Sequence, residues 1–203
     1  MRQVTGSACP PVLGVDFPRR PLCRGINDAV IAALAADRTA RVVVLALNRE
    51  AYGEVDEAAL QAGFRRSVER LAAQGRAVVL VGQIPNAGVD AGQVAGIAAR
   101  LGRDPARIGN ALSRSRAQVA GWDEAEAALA ARPGVLRFDA AARLCDRAAD
   151  LCPLVAGGRV LYFNPTHVSM AGAERIAAGL LPVLHGLLSP EAADGRTAAV
   201  AGN

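Results

Sequence analysis

The sequence contains no lysine, only two histidines and few aromatic residues. This composition argues against a nucleic-acid-binding protein. All 23 basic side chains are therefore arginines, and they are dispersed along the chain instead of being gathered in one run. Dispersed arginines with 3% aromatic residues provide neither the basic stripe nor the stacking platforms of a nucleic-acid binder. The net charge of +4 fits a general compositional bias, and we expect no nucleic-acid partner.

Long apolar runs are also missing. No run approaches the roughly 20 residues that a membrane-spanning helix needs, and the N-terminus lacks the apolar core of a signal peptide. The 203 residues, 52% of them hydrophobic, are enough for one core and too few for two comfortable domains. We expect one soluble domain over residues 1–187, followed by a flexible tail of small and polar residues at 188–203.

Short aliphatic runs and amphipathic patterns alternate along the chain. Residues 42–47 and 77–81 are continuous runs of the kind found in strands that are buried on both faces of a parallel sheet. Residues 135–138 and 160–163 are further strand candidates. Helical patterns are present at residues 28–36, 56–74, 94–101 and 110–131. This alternation predicts a three-layer α/β fold with a mostly parallel sheet.

The four cysteines form two local pairs, Cys9 with Cys23 and Cys145 with Cys152. Neither pair has Cys-x-x-Cys spacing, so zinc and thioredoxin-like chemistry are poorly supported and no metal or organic cofactor is expected. Four cysteines allow three disulfide connectivities. The alternative is four buried free thiols in a cytosolic protein, because the compartment decides whether disulfides form.

Residues 161–173 are the most informative stretch, because they hold one of the two histidines and combine a strand end, an Asn-Pro turn and a helix start. His167 is expected on a loop at the carboxyl end of a strand, where α/β folds place their chemistry, so it is the candidate catalytic base. His185 lies near the end of the last helical pattern, where the helix dipole favours a cation, and a structural role is expected there.

This stretch resembles the last conserved block of the SGNH hydrolases, an Asp-x-x-His motif followed by Leu-Ser and by a glycine that begins the final helix. The matching residues are His167, Ser169 and Gly172. Two cysteine-containing stretches, residues 5–11 and 144–153, narrow the resemblance to the SGNH-like domain fused behind the membrane part of bacterial O-acyltransferases of the acyltransferase-three type. The likeness covers residues 1–187.

The resemblance implies a three-layer α/β/α, flavodoxin-like fold and the disulfides Cys9–Cys23 and Cys145–Cys152. It also implies a periplasmic or other extracytoplasmic location, reached by way of an upstream membrane segment. In the family mechanism a serine is acylated with the help of the histidine, and the acyl group passes to a sugar hydroxyl of a cell-surface glycan or to water. No cofactor is implied.

The chain departs from the family pattern at two places. Asn164 stands where the family has the aspartate that holds the histidine, and in serine proteases such an exchange costs about 10⁴ in turnover because the amide supports the wrong tautomer. Some SGNH-like enzymes work as dyads in which a backbone carbonyl orients the histidine. The family's Gly-Asp-Ser block occurs nowhere in the sequence. The resemblance places the first strand and the nucleophile before Met1, so we expect a sheet without its first strand.

Other residues have weaker signals. Asn48 and Gln83 follow the two buried strands and are candidates for lining the site. Ser7 is near a strand end, but no base is expected beside it, so it is not expected to be the nucleophile. Asn27 or Asp28 is expected to cap a helix. Three aromatic residues are expected in the core. They are Trp122, Tyr162 and Phe163.

Three hypotheses follow for function. The first is an SGNH-like domain of an O-acetyltransferase or esterase, which on its own should have little or no esterase activity because it lacks the serine block. The second is a pseudo-esterase that binds a glycan or a partner domain. The third is a fragment of a longer acyltransferase whose start was misassigned. In each case the expected partners are a glycan and either an upstream membrane segment or the missing βα unit.

Overall fold

The computed structural model describes residues 2–4, 6 and 8–189. Its centre is a parallel sheet of three strands, β1 (Val42–Ala46), β2 (Ala77–Val81) and β4 (Val135–Phe138), in the order β1-β2-β4. Val43 lies opposite Val78, and Val79 lies opposite Leu136. β2 is apolar along its whole length because both of its faces are covered. The predicted α/β fold with a parallel sheet is confirmed.

The described part of the chain contains seven helices. They are α1 (Cys23–Ala36), α2 (Glu57–Ala72), α3 (Ala91–Arg100), α4 (Leu112–Gln118), α5 (Ala120–Ala130), α6 (Ala141–Leu144) and α7 (Met170–Leu188). Short antiparallel pairs complete the structure: β3 (Gly109–Asn110) with β5 (Cys152–Pro153), β6 (Val155–Ala156) with β7 (Arg159–Val160), and β8 (Tyr162–Asn164) with β9 (His167–Val168). None of these helices is both long and apolar enough to cross a membrane.

The helices form one layer on each face of the sheet. On one face α1, α2 and α5 pack against Val43, Leu45 and Val78. The apolar stripe of α2 is almost completely buried, with Phe64 1% and Val68 0% exposed. On the other face α7 packs against the side of the sheet that carries Val79 and Phe138. A smaller cluster under α3 joins this helix to the β6 to β8 region.

Strand β1 has a neighbour on one side only among the described residues. Residues 2–4 form no strand beside it. Val43 and Leu45 are buried at 6% and 4% exposure, whereas Val44 on the opposite face is 40% exposed. The sheet therefore ends on this side in an apolar edge strand, whose unpaired backbone groups can pair with a further strand.

Several local expectations need correction. Residues 160–163 do not form another strand of the parallel sheet, because they are divided between β7 and β8 of two small antiparallel pairs. The helix expected at 110–131 is interrupted at Val119, which is outside the helical region at φ −121° and is 6% exposed. The Val119 side chain lies in the main core at this break.

The helix-capping expectation for Asn27 and Asp28 is also wrong. Helix α1 already begins at Cys23, so both residues lie inside it. Asn27 is buried at 6% exposure, and the Asp28 carboxylate accepts a hydrogen bond from the Gly14 backbone N–H at 2.9 Å. The expectations for Ser7 and for the tail at 190–203 lie outside the described residues. Leu188, the first residue of the expected tail, is the last residue of α7.

Two disulfides join the cysteines, Cys9 to Cys23 and Cys145 to Cys152. The first fastens the segment before α1 to the start of that helix. The second closes the loop between α6 and β5. Each bridge closes a short loop at the end of a helix and can contribute about 2–4 kcal/mol by restricting the unfolded chain.

Candidate active site

His167 lies at the tip of the β8–β9 hairpin, directly after a turn made by Pro165 and Thr166. Its ring is exposed. The hairpin is fixed to α7 by Ser169, whose hydroxyl donates to the Val160 carbonyl at 2.6 Å and accepts from the Gly172 N–H at 3.3 Å. Such a cap fixes the direction in which the chain enters the helix, and hence the position of the histidine.

Gly172 allows the first turn of α7 to approach the hairpin closely. A Cβ atom at this position would collide with the carbonyl oxygen of Leu161 and would come 2.9 Å from the Cβ of Val168. Only glycine therefore fits between the helix and the strand that precedes His167. The close packing of α7 on the hairpin thus explains why the sequence motif has glycine at position 172.

Asn164 holds the imidazole of His167. The Asn164 Oδ1 atom accepts hydrogen bonds from the backbone N–H groups of Thr166 at 3.0 Å and His167 at 2.9 Å. The same oxygen lies 2.9 Å from His167 Nδ1. The hydroxyl of Thr166 lies 3.1 Å from Nδ1 as well. The structure therefore brings Asn164 and His167 together and adds Thr166, which the sequence did not indicate.

Asn48 and Gln83 meet at the carboxyl end of the sheet, where β1 and β2 end. Gln83 Nε2 donates to Asn48 Oδ1 at 3.2 Å, and the Glu50 N–H donates to the same oxygen at 3.2 Å. The oxygen of the Asn48 amide is thus occupied. Its Nδ2 group has no hydrogen bond to any described residue and is available as a donor to a bound group.

A loop connects this edge of the sheet to the histidine hairpin. The Ala87 N–H donates to the Pro165 carbonyl at 2.7 Å. One residue earlier, Asn86 Nδ2 donates to Glu50 Oε2 at 3.1 Å, and Asn110 Nδ2 donates to the Asn86 carbonyl at 2.6 Å. The two pairs of candidate residues are therefore parts of one connected surface at the carboxyl end of the sheet.

Behind this surface lies a buried charge network that the sequence did not indicate. Arg49 and Glu126 form an ion pair, and their side chains are 1% and 0% exposed. Arg137 Nε donates to the other Glu126 oxygen at 3.2 Å and also pairs with Asp123. Burial lowers the pKa of Arg49 to about 10, which still leaves it charged at neutral pH. Arg49 also donates its backbone N–H to Gln83 Oε1 at 2.9 Å, so the network supports the site.

A small cleft opens beside the ends of β2 and β4. Its lining includes Gln83, Arg116, Arg137 and Asp139. Burial alone would raise the pKa of Asp139, but the Ala142 N–H and the Arg116 guanidinium outweigh it and hold the pKa below its ordinary value. The cleft therefore places fixed charges of both signs next to Gln83.

The aromatic residues near the histidine face opposite ways. Tyr162 is buried at 2% exposure, and burial raises its pKa to about 12. Phe163, which was expected in the core, is 76% exposed. Alternation along a strand places Phe163 on the opposite face from Tyr162.

Trp122 is 3% exposed and lies in the core as expected. His185 lies in the last turn of α7.

The described residues offer neither a second catalytic base beside His167 nor a group of three His, Cys, Asp or Glu side chains that could hold a metal ion. What they provide is an exposed imidazole with a fixed partner, an amide donor at Asn48 and a charged cleft. This combination suits proton transfer and the stabilisation of a developing oxyanion.

Comparisons with known proteins agree with this description. Residues 1–182 match the family described as "SGNH domain (fused to AT3 domains)". The fold is similar to the periplasmic domain of a lipopolysaccharide acetyltransferase from Salmonella ser. Paratyphi A, with a TM-score of 0.63 and 12% sequence identity over 87% of this chain and 69% of that chain. Among curated proteins no match was found.

Proposed function

This chain belongs to the family of SGNH domains that are fused to AT3 domains, and on that premise we propose that it is the acyl-handling domain of an O-acyltransferase that acts on a cell-surface glycan. The observation that carries the proposal is the contact between His167 Nδ1 and the oxygen of Asn164, on a hairpin fixed to the carboxyl end of the sheet. His167 is the general base in this proposal.

In the proposed reaction the nucleophile is a serine of an upstream segment, since no Gly-Asp-Ser block occurs in these 203 residues. His167 accepts the proton of the serine hydroxyl while the serine oxygen bonds to the acyl carbon, and the donor group then leaves with that proton. A sugar hydroxyl next gives its proton to His167 and attacks the acyl carbon, and the serine oxygen leaves and is reprotonated. In this proposal the Asn48 Nδ2 group donates a hydrogen bond to the oxyanion in both steps.

The setting in which the domain works is extracytoplasmic in this proposal. Two disulfides close local loops, and disulfides persist in oxidising compartments such as the periplasm. The Salmonella domain with the similar fold is itself periplasmic. An AT3 membrane part of the same parent would supply the acyl group.

The direct test is the acylation of the surface polysaccharide in the native cells. Deleting the coding sequence of the parent protein should remove base-labile O-acyl groups from one glycan, and a plasmid copy should restore them. Unchanged acylation of every surface glycan in the deletion strain would contradict the proposal.

We further propose that the open side of β1 is the docking surface for a parallel strand of that upstream segment. The apolar edge with Val44 exposed supports this, because an unpaired edge of a parallel sheet accepts a strand through its backbone groups. The covering helix of a βα unit would bury Val44, which is 40% exposed.

Exchanging Val44 for lysine should abolish self-association of this chain when it is purified alone. The wild-type chain should form dimers and larger species as its concentration rises, because its open edge pairs with other copies, and a charge on an edge strand opposes such pairing. Light scattering after size-exclusion chromatography measures the mass. Ile97→Lys, at another exposed apolar residue (48%), is the matched control and should associate like the wild type. A wild-type chain that stays monomeric at high concentration would contradict the docking proposal.

Exchanging Phe163 for alanine should raise the KM for the glycan acceptor by about tenfold, or about 1.4 kcal/mol. Phe163 is 76% exposed and precedes Asn164 in the same strand, and in this proposal its ring stacks on a sugar of the acceptor. Phe163→Trp should retain the wild-type KM, and Leu101→Ala, at another exposed apolar residue (68%), is the control. An unchanged KM in the Phe163→Ala parent protein would show that the ring does not contact the acceptor.

A second candidate function is a pseudo-esterase that binds a glycan or partner domain without catalysis. It is favoured by Asn164, which brings no charge to stabilise a protonated histidine. In this case the same surface would bind sugar, and the acylation of glycans would not depend on His167.

A further inference from the structure

We propose that Asn164 and Thr166 form a neutral clamp that holds His167 in the tautomer with its proton on Nδ1, so that Nε2 is the free base. The role of Nε2 as the base rests on the function proposed above. The tautomer itself is a property of this chain and can be measured without an activity assay. This tautomer is the opposite of the one that the exchange of aspartate for asparagine by itself implies.

The orientation of the Asn164 amide follows from the backbone. Two backbone N–H groups, those of Thr166 and His167, point at the same Asn164 atom at 3.0 and 2.9 Å. A backbone N–H can only donate, so this atom must be the oxygen; a flipped amide would place its NH₂ group against two donors. The turn therefore fixes which end of the amide faces the ring.

The orientation of the amide decides the tautomer. An oxygen 2.9 Å from Nδ1 can only accept, so Nδ1 must carry the hydrogen. A bare Nδ1 would place two lone pairs against each other at hydrogen-bond distance. The neutral ring then has its lone pair on Nε2, which is the nitrogen that a base uses toward substrate. The asparagine thus keeps the positional role of an aspartate and loses only the charge.

Thr166 is a positioning residue in the same clamp. Its hydroxyl lies 3.1 Å from Nδ1 and 3.4 Å from Asn164 Oδ1. With the hydrogen on Nδ1, the hydroxyl oxygen can share that hydrogen with Asn164 and donate its own to Oδ1. With the hydrogen on Nε2, the hydroxyl would have to donate its only hydrogen to Nδ1, and its hydrogen bond to Asn164 Oδ1 would be lost. The hydroxyl therefore favours the same tautomer.

The test is the two-bond ¹H–¹⁵N correlation spectrum of the histidine rings in the ¹⁵N-labelled chain, recorded at alkaline pH, where histidine is neutral. The chain has only two histidines, and the ring of His185 has no hydrogen bond to a described residue, so His185 is an internal reference. We expect His167 to show a protonated Nδ1 and a bare Nε2, with a Nδ1-protonated fraction clearly above that of His185.

Matched variants separate the contributions of the clamp. Asn164→Asp and Thr166→Ser should keep the wild-type tautomer, Thr166→Val should lower the Nδ1-protonated fraction, and Asn164→Ala should lower it to the level of His185. If the hairpin of Asn164→Ala unfolds, the Thr166→Ser and Thr166→Val pair still decides the role of the hydroxyl. A wild-type His167 with its proton on Nε2, or with the tautomer ratio of His185, overturns the proposal.

The clamp and the proposed function can fail separately. A protonated Nδ1 in a protein whose parent acylates no glycan would leave the clamp standing and refute the function. A glycan acylation that depends on His167, together with a proton on Nε2, would refute the clamp alone.

Discussion

Exchanging Glu126 for alanine should lower the free energy of unfolding by about 3–5 kcal/mol, a large part of the about 5–15 kcal/mol that stabilises a domain of this kind. Glu126 is 0% exposed and is the shared carboxylate of Arg49 and Arg137. Without it the Arg49 guanidinium, 1% exposed, remains buried as a cation without its carboxylate. The measurement is chemical denaturation of the variant and of the wild type at neutral pH.

The rest of the network supplies the controls. Asp123 pairs with Arg137 at 24% exposure, where water screens the charges, so Asp123→Asn should cost only about 1 kcal/mol or less. The double variant Arg49→Met, Glu126→Leu should recover most of the lost stability, because an apolar pair of similar volume avoids the burial of charges. A loss no larger for Glu126→Ala than for Asp123→Asn would show that the pair is not buried in solution.

The same network couples stability to the site. Arg49 holds Gln83 through its backbone N–H, and Gln83 in turn donates to Asn48. Replacing the ion pair by apolar residues should therefore preserve the fold. It should still shift the position of the Asn48 amide, because the Arg49 side chain also contacts Gln83 Oε1 at 3.4 Å.

The sequence allowed the sheet to be predicted because β1 and β2 are unbroken aliphatic runs, which are typical of strands in a parallel sheet. Only β2 is buried on both faces, whereas β1 is buried on one face and exposes Val44 on the other. The α2 stripe was equally readable, since apolar residues recur there at helical spacing. The hairpin around His167 was mistaken for a sheet strand. Strands of two or three residues have no periodicity, and their pairing depends on distant backbone groups.

The sequence was enough to locate the candidate site, but the contacts between its residues could not be predicted from the sequence. His167 was singled out because histidines are rare in the chain and because of the residues around it. The role of Asn164 could not be derived, since it depends on two backbone N–H groups of the following turn. Glu126 gave no signal either, because a glutamate in an alanine-rich helix is typical of an exposed face, and only the packing of α5 on the sheet buries it.

Exchanging His167 for alanine in the membrane-fused parent protein should lower the rate of glycan acylation by a factor on the order of 10³ or more. The imidazole is the one ring in the described chain that combines exposure with a fixed Nδ1 partner. Loss of a general base removes proton transfer in both the formation and the breakdown of the acyl-serine, so both half-reactions should slow. The measurement is the acyl content of the surface glycan per amount of protein.

Two variants make this experiment decide between the proposed functions. His185→Ala removes the other histidine, in the last turn of α7, and should leave acylation unchanged. Asn164→Asp should raise the rate or leave it unchanged, since an aspartate preserves the contact to Nδ1 and adds a charge that stabilises the protonated ring. If the His167→Ala parent acylates as well as the wild type, the histidine is not a base, and the domain functions in binding. If Asn164→Asp instead restores several orders of magnitude to a nearly inactive wild type, the asparagine has weakened an ancestral triad, and this chain is better described as its remnant.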